Sequence, residues 1–177
     1  METKIRELFS DEKLVERIKI KLPRLFQIAE LESKRGEKTG MEVGTIREKI
    51  VTALLIYKFG EGNVETNIPS TEAEIDVKLF GSPISIKTFT ESKRGGIKGV
   101  KLNWTVDAQN AFEFGNNFRP SCGMILVHIK WGSDGSFYYI PQCVQEKTME
   151  ALGRENYIQL PKLLQIVQIT QNLFMKG

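Results

Sequence analysis

Asp76 is followed nine and eleven residues later by Ser85 and Lys87. The stretch reads Glu74-Ile75-Asp76-Val77-Lys78-Leu79-Phe80, then Gly81-Ser82, then Pro83-Ile84-Ser85-Ile86-Lys87-Thr88. Two alternating runs around a Gly-Ser pair predict a β-hairpin with glycine at the first turn position. With that turn Phe80 faces Pro83, and Asp76 stands opposite Lys87. Ser85 shares their face, because strand side chains repeat every two residues. Ile75, Val77, Leu79, Ile84 and Ile86 take the other face, toward a core. Phosphodiester hydrolysis needs an attacking water made basic, developing charge neutralised and a leaving oxygen helped away. Carboxylates holding Mg²⁺ meet much of that need, since Mg²⁺ binds one or two carboxylates and keeps several waters. A lysine close by orients the water or stabilises the transition state. A solvated hairpin ion pair uses the same residues and is worth well under a kilocalorie, so the rest of the chain has to decide between the two.

The charge pattern favours the chemical reading. From Lys93 to Lys101 the chain carries four cations, three glycines and no acid. This loop starts six residues after Lys87 and must lie beside the polar end of the hairpin. Lys93, Arg94, Lys98 and Lys101 suit a phosphate-rich partner, which such side chains bind by neutralising phosphates. Arg47, Asn103, Asn116, Asn117 and Arg119 are further candidates for reading bases, as Arg suits guanine and Asn suits adenine.

Histidine occurs once, at His128, which leaves little for hydrolases built on paired histidines or a Ser-His-Asp relay. His128-Ile129-Lys130 has the His-x-Lys spacing of phospholipase D-type nucleases. Asp134, however, falls one residue too close, and His128 reads better as part of a core strand. No glycine-rich phosphate loop or nucleophile elbow is visible.

With 177 residues and a formal net charge of +3, the chain fits one domain with a sizeable core. We divide it into a helical extension over 1–36, a core over 45–140 and a C-terminal segment over 141–177. No apolar run approaches the roughly 20 residues of a membrane span, and the amino terminus has no signal-peptide core. Cys122 and Cys143 lack metal-ligand spacing and read as buried thiols of a reducing cytoplasm.

The elements that must position the hairpin follow from periodicity. Leu14, Ile18, Leu22, Leu25 and Ile28 recur at helical spacing, with Pro23 dividing the run and Ser10 as a cap. This region reads as a scaffold or dimer surface. A loop over Gly36 to Gly44 precedes a helix from Thr45 to Phe59, whose second half is apolar all round and so is expected to be covered all round. Glu48 lies on that helix at the flank of its buried face. A short strand over 63–68, the hairpin, a helix after Thr105, and strands over 124–129 and 137–140 follow, then a helix from Val144 to Leu152. The order predicts an α/β fold, a mixed sheet flanked by helices with an N-terminal helical region.

This arrangement resembles the PD-(D/E)XK nuclease superfamily, whose core has the same order of helix, strand, hairpin, helix and strand. The resemblance implies that Asp76 is the motif aspartate, that Lys87 is the catalytic lysine, and that the main-chain carbonyl of Ile86 is an extra metal ligand. Glu48 matches the helix acid of many members. Ser85 stands where the motif has its second acid, so Glu48 or Glu74 would supply the missing charge. The segments Gly40-Met41-Glu42-Val43-Gly44, Leu54-Leu55-Ile56-Tyr57-Lys58-Phe59-Gly60 and Asn103-Trp104-Thr105-Val106-Asp107-Ala108 look like those of ThaI-type restriction endonucleases. That closer resemblance implies a Mg²⁺-dependent homodimer that cuts double-stranded DNA at a short palindrome of alternating C and G, such as CGCG, leaving blunt ends. Met41 then reads either as packing onto the helix start or as an apolar wedge between bases. The competing functions are a PD-(D/E)XK nuclease of repair or recombination and an inactive DNA-binding module of the same fold.

Overall fold

The computed structural model describes residues 2–35, 40–69, 72, 74–90, 113, 116–130, 135–154 and 157, with backbone alone for 2–3, 33–35 and 40–42. The cationic loop, Asn103 and Thr105 lie outside these residues.

Helix α1 (Glu2–Ser10) is followed by α2 (Glu12–Arg35). Asp11, not Ser10, caps α2: its Oδ1 accepts the Leu14 backbone N–H at 3.0 Å. An acceptor there satisfies one of the amide groups that a helix start leaves open. Its Oδ2 accepts Lys58 Nζ at 2.7 Å, and that lysine holds the carboxyl below its ordinary value. Pro23 does not divide the helix. It removes one ladder bond at a cost of ~3 kcal/mol, and α2 continues because Leu22 and Phe26, on either side, are both buried.

Helix α3 (Gly40–Phe59) starts five residues earlier than expected. Met41 and Gly44 therefore belong to its first turns, not to a loop, and buried Val43 anchors that end. Its second half is not covered all round, since Val51 and Leu55 are fully buried while Ala53 and Tyr57 are exposed. A 3₁₀ turn (Glu61–Asn63) leads to β1 (Val64–Glu65), shorter than the expected strand.

The sheet continues with β2 (Val77–Leu79), β3 (Ser82–Thr90), β4 (Gly123–Ile129) and β5 (Ser136–Ile140), in spatial order β1-β2-β3-β4-β5. Only the β3–β4 pair is parallel. Helix α4 (Gln142–Leu152) closes at Gly153, whose φ of 80° suits glycine. One sheet face, with Val77, Leu79, Ile84, Ile86, Ile125 and Val127, packs under the N-terminal helices. The opposite face, with Phe89, Met124, Leu126, Tyr138 and Ile140, packs with Val144 and Met149 of α4. The protein is thus a mixed five-stranded sheet flanked by helices, with an N-terminal helical region. Among the described residues no helix is long and apolar enough to cross a membrane.

The hairpin turn is Phe80-Gly81, not Gly81-Ser82, with φ of 49° and 74°. Both central residues at positive φ are what a two-residue type I′ turn requires. A bulky residue there is an outlier, and tertiary contacts fix it. The Phe80 N–H donates to the Asn63 carbonyl at 2.8 Å, and its ring meets Phe59 edge-on at 5.6 Å. Val77 therefore pairs with Ile84, and Leu79 with Ser82. Continued by one residue, that register sets Asp76 across from Ser85 rather than Lys87.

Candidate active site

The regular ladder stops at Val77, and Asp76 sits in the bend before it. Its backbone N–H donates to the Ile84 carbonyl at 3.0 Å. Its carboxylate gathers three donors on a single oxygen, Oδ2: the Ile86 N–H at 2.6 Å, Lys87 Nζ at 3.2 Å and Ser85 Oγ at 3.3 Å. The Ile86 bond is short and charge-assisted, whereas the Ser85 contact is long for a hydroxyl donor. Among the described residues, Oδ1 of Asp76 has no hydrogen-bond partner. The Asp76–Lys87 ion pair is only partly open to solvent, with side chains 22% and 14% exposed.

Ser85 is itself buried. In an extended strand a residue's N–H and C=O point to the same edge. The Ile86 carbonyl therefore lies on the edge that its N–H shares with Asp76, while Ser85 and Lys87 turn their main chain to β4.

Glu48, on α3, is half-buried and electrostatically coupled to this cluster. Burial raises its carboxyl above the ordinary value, the charge of Asp76 raises it further, and Lys87 opposes both. Two carboxylates and a lysine thus share one field. The structure brings Asp76, Ser85, Ile86 and Lys87 together, with Glu48 of α3 within the electrostatic field of Asp76 and Lys87.

Other candidates are placed differently. Arg47, expected among the DNA contacts, is buried and its guanidinium is paired with Glu30 of α2. Burial lowers its pKa to about 10, so it stays charged and stitches α2 to α3. Asn116, Asn117 and Arg119 are exposed. His128 stacks flat on Phe89, with ring centroids 4.4 Å apart, in keeping with its core-strand reading. Lys93, Arg94, Lys98 and Lys101 lie outside the described residues, as does the side chain of Met41. Glu74, one candidate for the missing acid, is engaged elsewhere: its Oε2 accepts the Ser121 N–H at 2.9 Å and also the Ser121 hydroxyl. Sequence spacing carried no signal of that partnership across 47 residues.

Among the described residues no group of three His, Cys, Asp or Glu side chains forms a metal site. The donors present are two carboxylates and a main-chain carbonyl, without histidine or an accessible thiolate. Burial pushes the Cys122 thiol up to about 12, which keeps it neutral. All-oxygen donors with room for water suit Mg²⁺ and disfavour softer metals.

Three comparisons extend this geometry. No curated protein matches the chain. A solved structure described as a restriction endonuclease in complex with substrate DNA is 54% identical, with a TM-score of 0.77. The match covers 90% of this chain and 75% of that one. The family model for the restriction endonuclease ThaI matches residues 8–170. The chain belongs to the ThaI restriction endonuclease family.

Proposed function

We propose that the protein is a Mg²⁺-dependent type II restriction endonuclease of the cytoplasm that cuts double-stranded DNA within CGCG to leave blunt ends. The observation that carries the reading is the convergence of Lys87 and two further donors on one oxygen of Asp76, in a chain of this family. Residues 45–140 form the catalytic core of a single domain. Asp76 and Glu48 would hold Mg²⁺ with the Ile86 carbonyl, and the ion would supply charge neutralisation for the attacking and leaving oxygens. Ile86 and Ser85 hold the Asp76 carboxylate through Oδ2, which leaves Oδ1 as its second acceptor. Lys87 places its ammonium beside that carboxylate, where Nζ orients a water by hydrogen bonding and opposes charge developing on the phosphate. Ser85 is neutral, so Glu48 carries the second negative charge. The described neighbour's substrate DNA, together with the cationic Lys93 to Lys101 stretch, supports duplex DNA as the partner.

Cutting both strands of a palindrome calls for two active sites, hence a homodimer. The α2–α3 surface supports one: Leu25, Ile28 and Leu31 of α2 and Tyr57 of α3 are exposed. Leu25 and Tyr57 line an apolar groove of about 400 Å³, and contiguous apolar surface marks protein contacts. The test is incubation with plasmid DNA, with and without Mg²⁺, followed by sequencing of the ends. Blunt ends at CGCG only with Mg²⁺ are expected. Ends scattered over unrelated sequences overturn the restriction reading, and binding without cleavage leaves a DNA-binding module of the same fold.

A further inference from the structure

Glu74 lies two residues before Asp76, in the bend that leads into β2. The double acceptance from Ser121 ties that bend to the chain just before β4 begins. The following residue, Cys122, is buried, and it leads directly into Gly123, which pairs with Ile84 of β3. The Ser121-Cys122 pair thus connects to both arms of the hairpin: to the acid-bearing arm through Glu74, and to the lysine-bearing arm through the pairing of Gly123 with Ile84.

The pair is also fixed from α4. Gln145 of α4, 2% exposed, donates to the Cys122 carbonyl at 2.8 Å and the Ile140 carbonyl at 3.2 Å. Its Oε1 accepts the Tyr157 hydroxyl at 3.0 Å. A buried polar chain in which every link is made is rigid, because breaking any link leaves a polar group unsatisfied. Ser121 is therefore held on a rigid base, and Glu74 is held by Ser121.

We propose that Glu74 is a positioning residue for DNA hydrolysis: clamped by Ser121, it fixes the bend that sets Asp76 against Ile86 and Lys87, and it is not a metal ligand. The proposal rests on Asp76 and Lys87 being the reaction centre. Reacting groups must be held to a fraction of an ångström, and a misplacement of 1 Å costs up to ~100-fold in rate.

The experiment compares wild type with Glu74→Gln, Ser121→Ala, the double variant and Ser121→Thr. Three quantities are read: the single-turnover cleavage rate with Mg²⁺, hydrogen exchange of the Ile86 amide without metal or DNA, and the melting temperature. Both single variants are expected to slow cleavage by ~10- to 100-fold and to lose protection at Ile86. The double variant is expected to be no slower than the slower single one, and Ser121→Thr to restore the rate. Complete loss of cleavage in Glu74→Gln beside a wild-type rate in Ser121→Ala would reveal a ligand and overturn the proposal. So would a fall in melting temperature with an unchanged rate per folded molecule. Failure of the wild type to cleave any DNA would refute the nuclease reading, whereas unchanged Ile86 protection in both single variants refutes the clamp whether or not the wild type cleaves.

Discussion

The backbone N–H of Ile86 donates to Oδ2 of Asp76 at 2.6 Å, where a continued ladder would offer it the carbonyl of Ile75. The side chain of Asp76 thus completes the hairpin, in addition to the metal-binding role proposed for it. Its two duties separate on substitution. Asp76→Asn keeps an acceptor for Ile86 and removes the charge, so cleavage is expected to be lost with the melting temperature close to wild type. Asp76→Ala also strands the Ile86 N–H, at ~1–3 kcal/mol, and is expected to melt several degrees lower. Thermal melts beside a cleavage assay check this, and equal melting of the two variants would contradict the structural half.

Glu48 gives a dependence on pH with a definite sign. Its folded-state carboxyl is raised above the ordinary 4.5, first by burial and then by Asp76. The fold therefore favours the protonated acid. That stabilisation is fully present below pH 4.5 and is lost as pH rises through the folded value. Without metal, Glu48→Gln is expected to melt above wild type at neutral pH, with the difference vanishing in acid. The same variant is expected to need ~10- to 100-fold more Mg²⁺ for cleavage, and Ser85→Ala far less of an increase, since Ser85 brings no charge. A Mg²⁺ response altered by Ser85→Ala and untouched by Glu48→Gln would make the helix acid structural.

Gly123 begins β4 opposite Ile84. A Cβ there would sit 2.4 Å from the Tyr139 hydroxyl oxygen and 2.8 Å from its ring. Gly123→Ala is expected to destabilise the fold by ~1–3 kcal/mol, lowering the melting temperature by ~2–10 °C. Because β4 supports β3, cleavage should fall with it. A melt unchanged from wild type would mean that Tyr139 moves aside freely.

The cationic stretch is tested by salt. If Lys93, Arg94, Lys98 and Lys101 meet phosphates, removing one at a time should reduce the salt dependence of DNA binding by about one counterion each. A binding curve indifferent to losing all four would turn that stretch away from DNA.

The hairpin shows what was legible in the sequence and what was not. The turn lies one residue earlier than local preference predicts, and the pairing shifts by two along a strand, where side chains repeat every two. Asp76, Ser85 and Lys87 therefore kept their common face although their partners changed. Local preference pointed to Gly81-Ser82; the Phe80 contacts with Asn63 and Phe59 that overrode it are distant in sequence. The same reason explains Pro23, where burial of Leu22 and Phe26 outweighs a lost bond, and Asp11, whose capping role is reinforced by Lys58 from another helix. Arg47 looked like a surface cation because nothing local marks its partner, Glu30. The Glu74–Ser121 clamp was illegible for want of any local signal, since it depends on how β4 returns beside β3.

Lys87 offers the most direct test of the reaction centre. Asp76 also supports the main chain, but Lys87→Ala leaves the Ile86 and Ser85 bonds to Asp76 intact, so its effect reads chemistry alone. The measurement is single-turnover cleavage of a CGCG duplex with saturating Mg²⁺, alongside affinity for the same duplex without metal. Lys87→Ala is expected to bind within a few-fold of wild type and to cleave at least ~100-fold more slowly. Cleavage by Lys87→Ala at the wild-type rate would contradict the assignment of this hairpin as the active site.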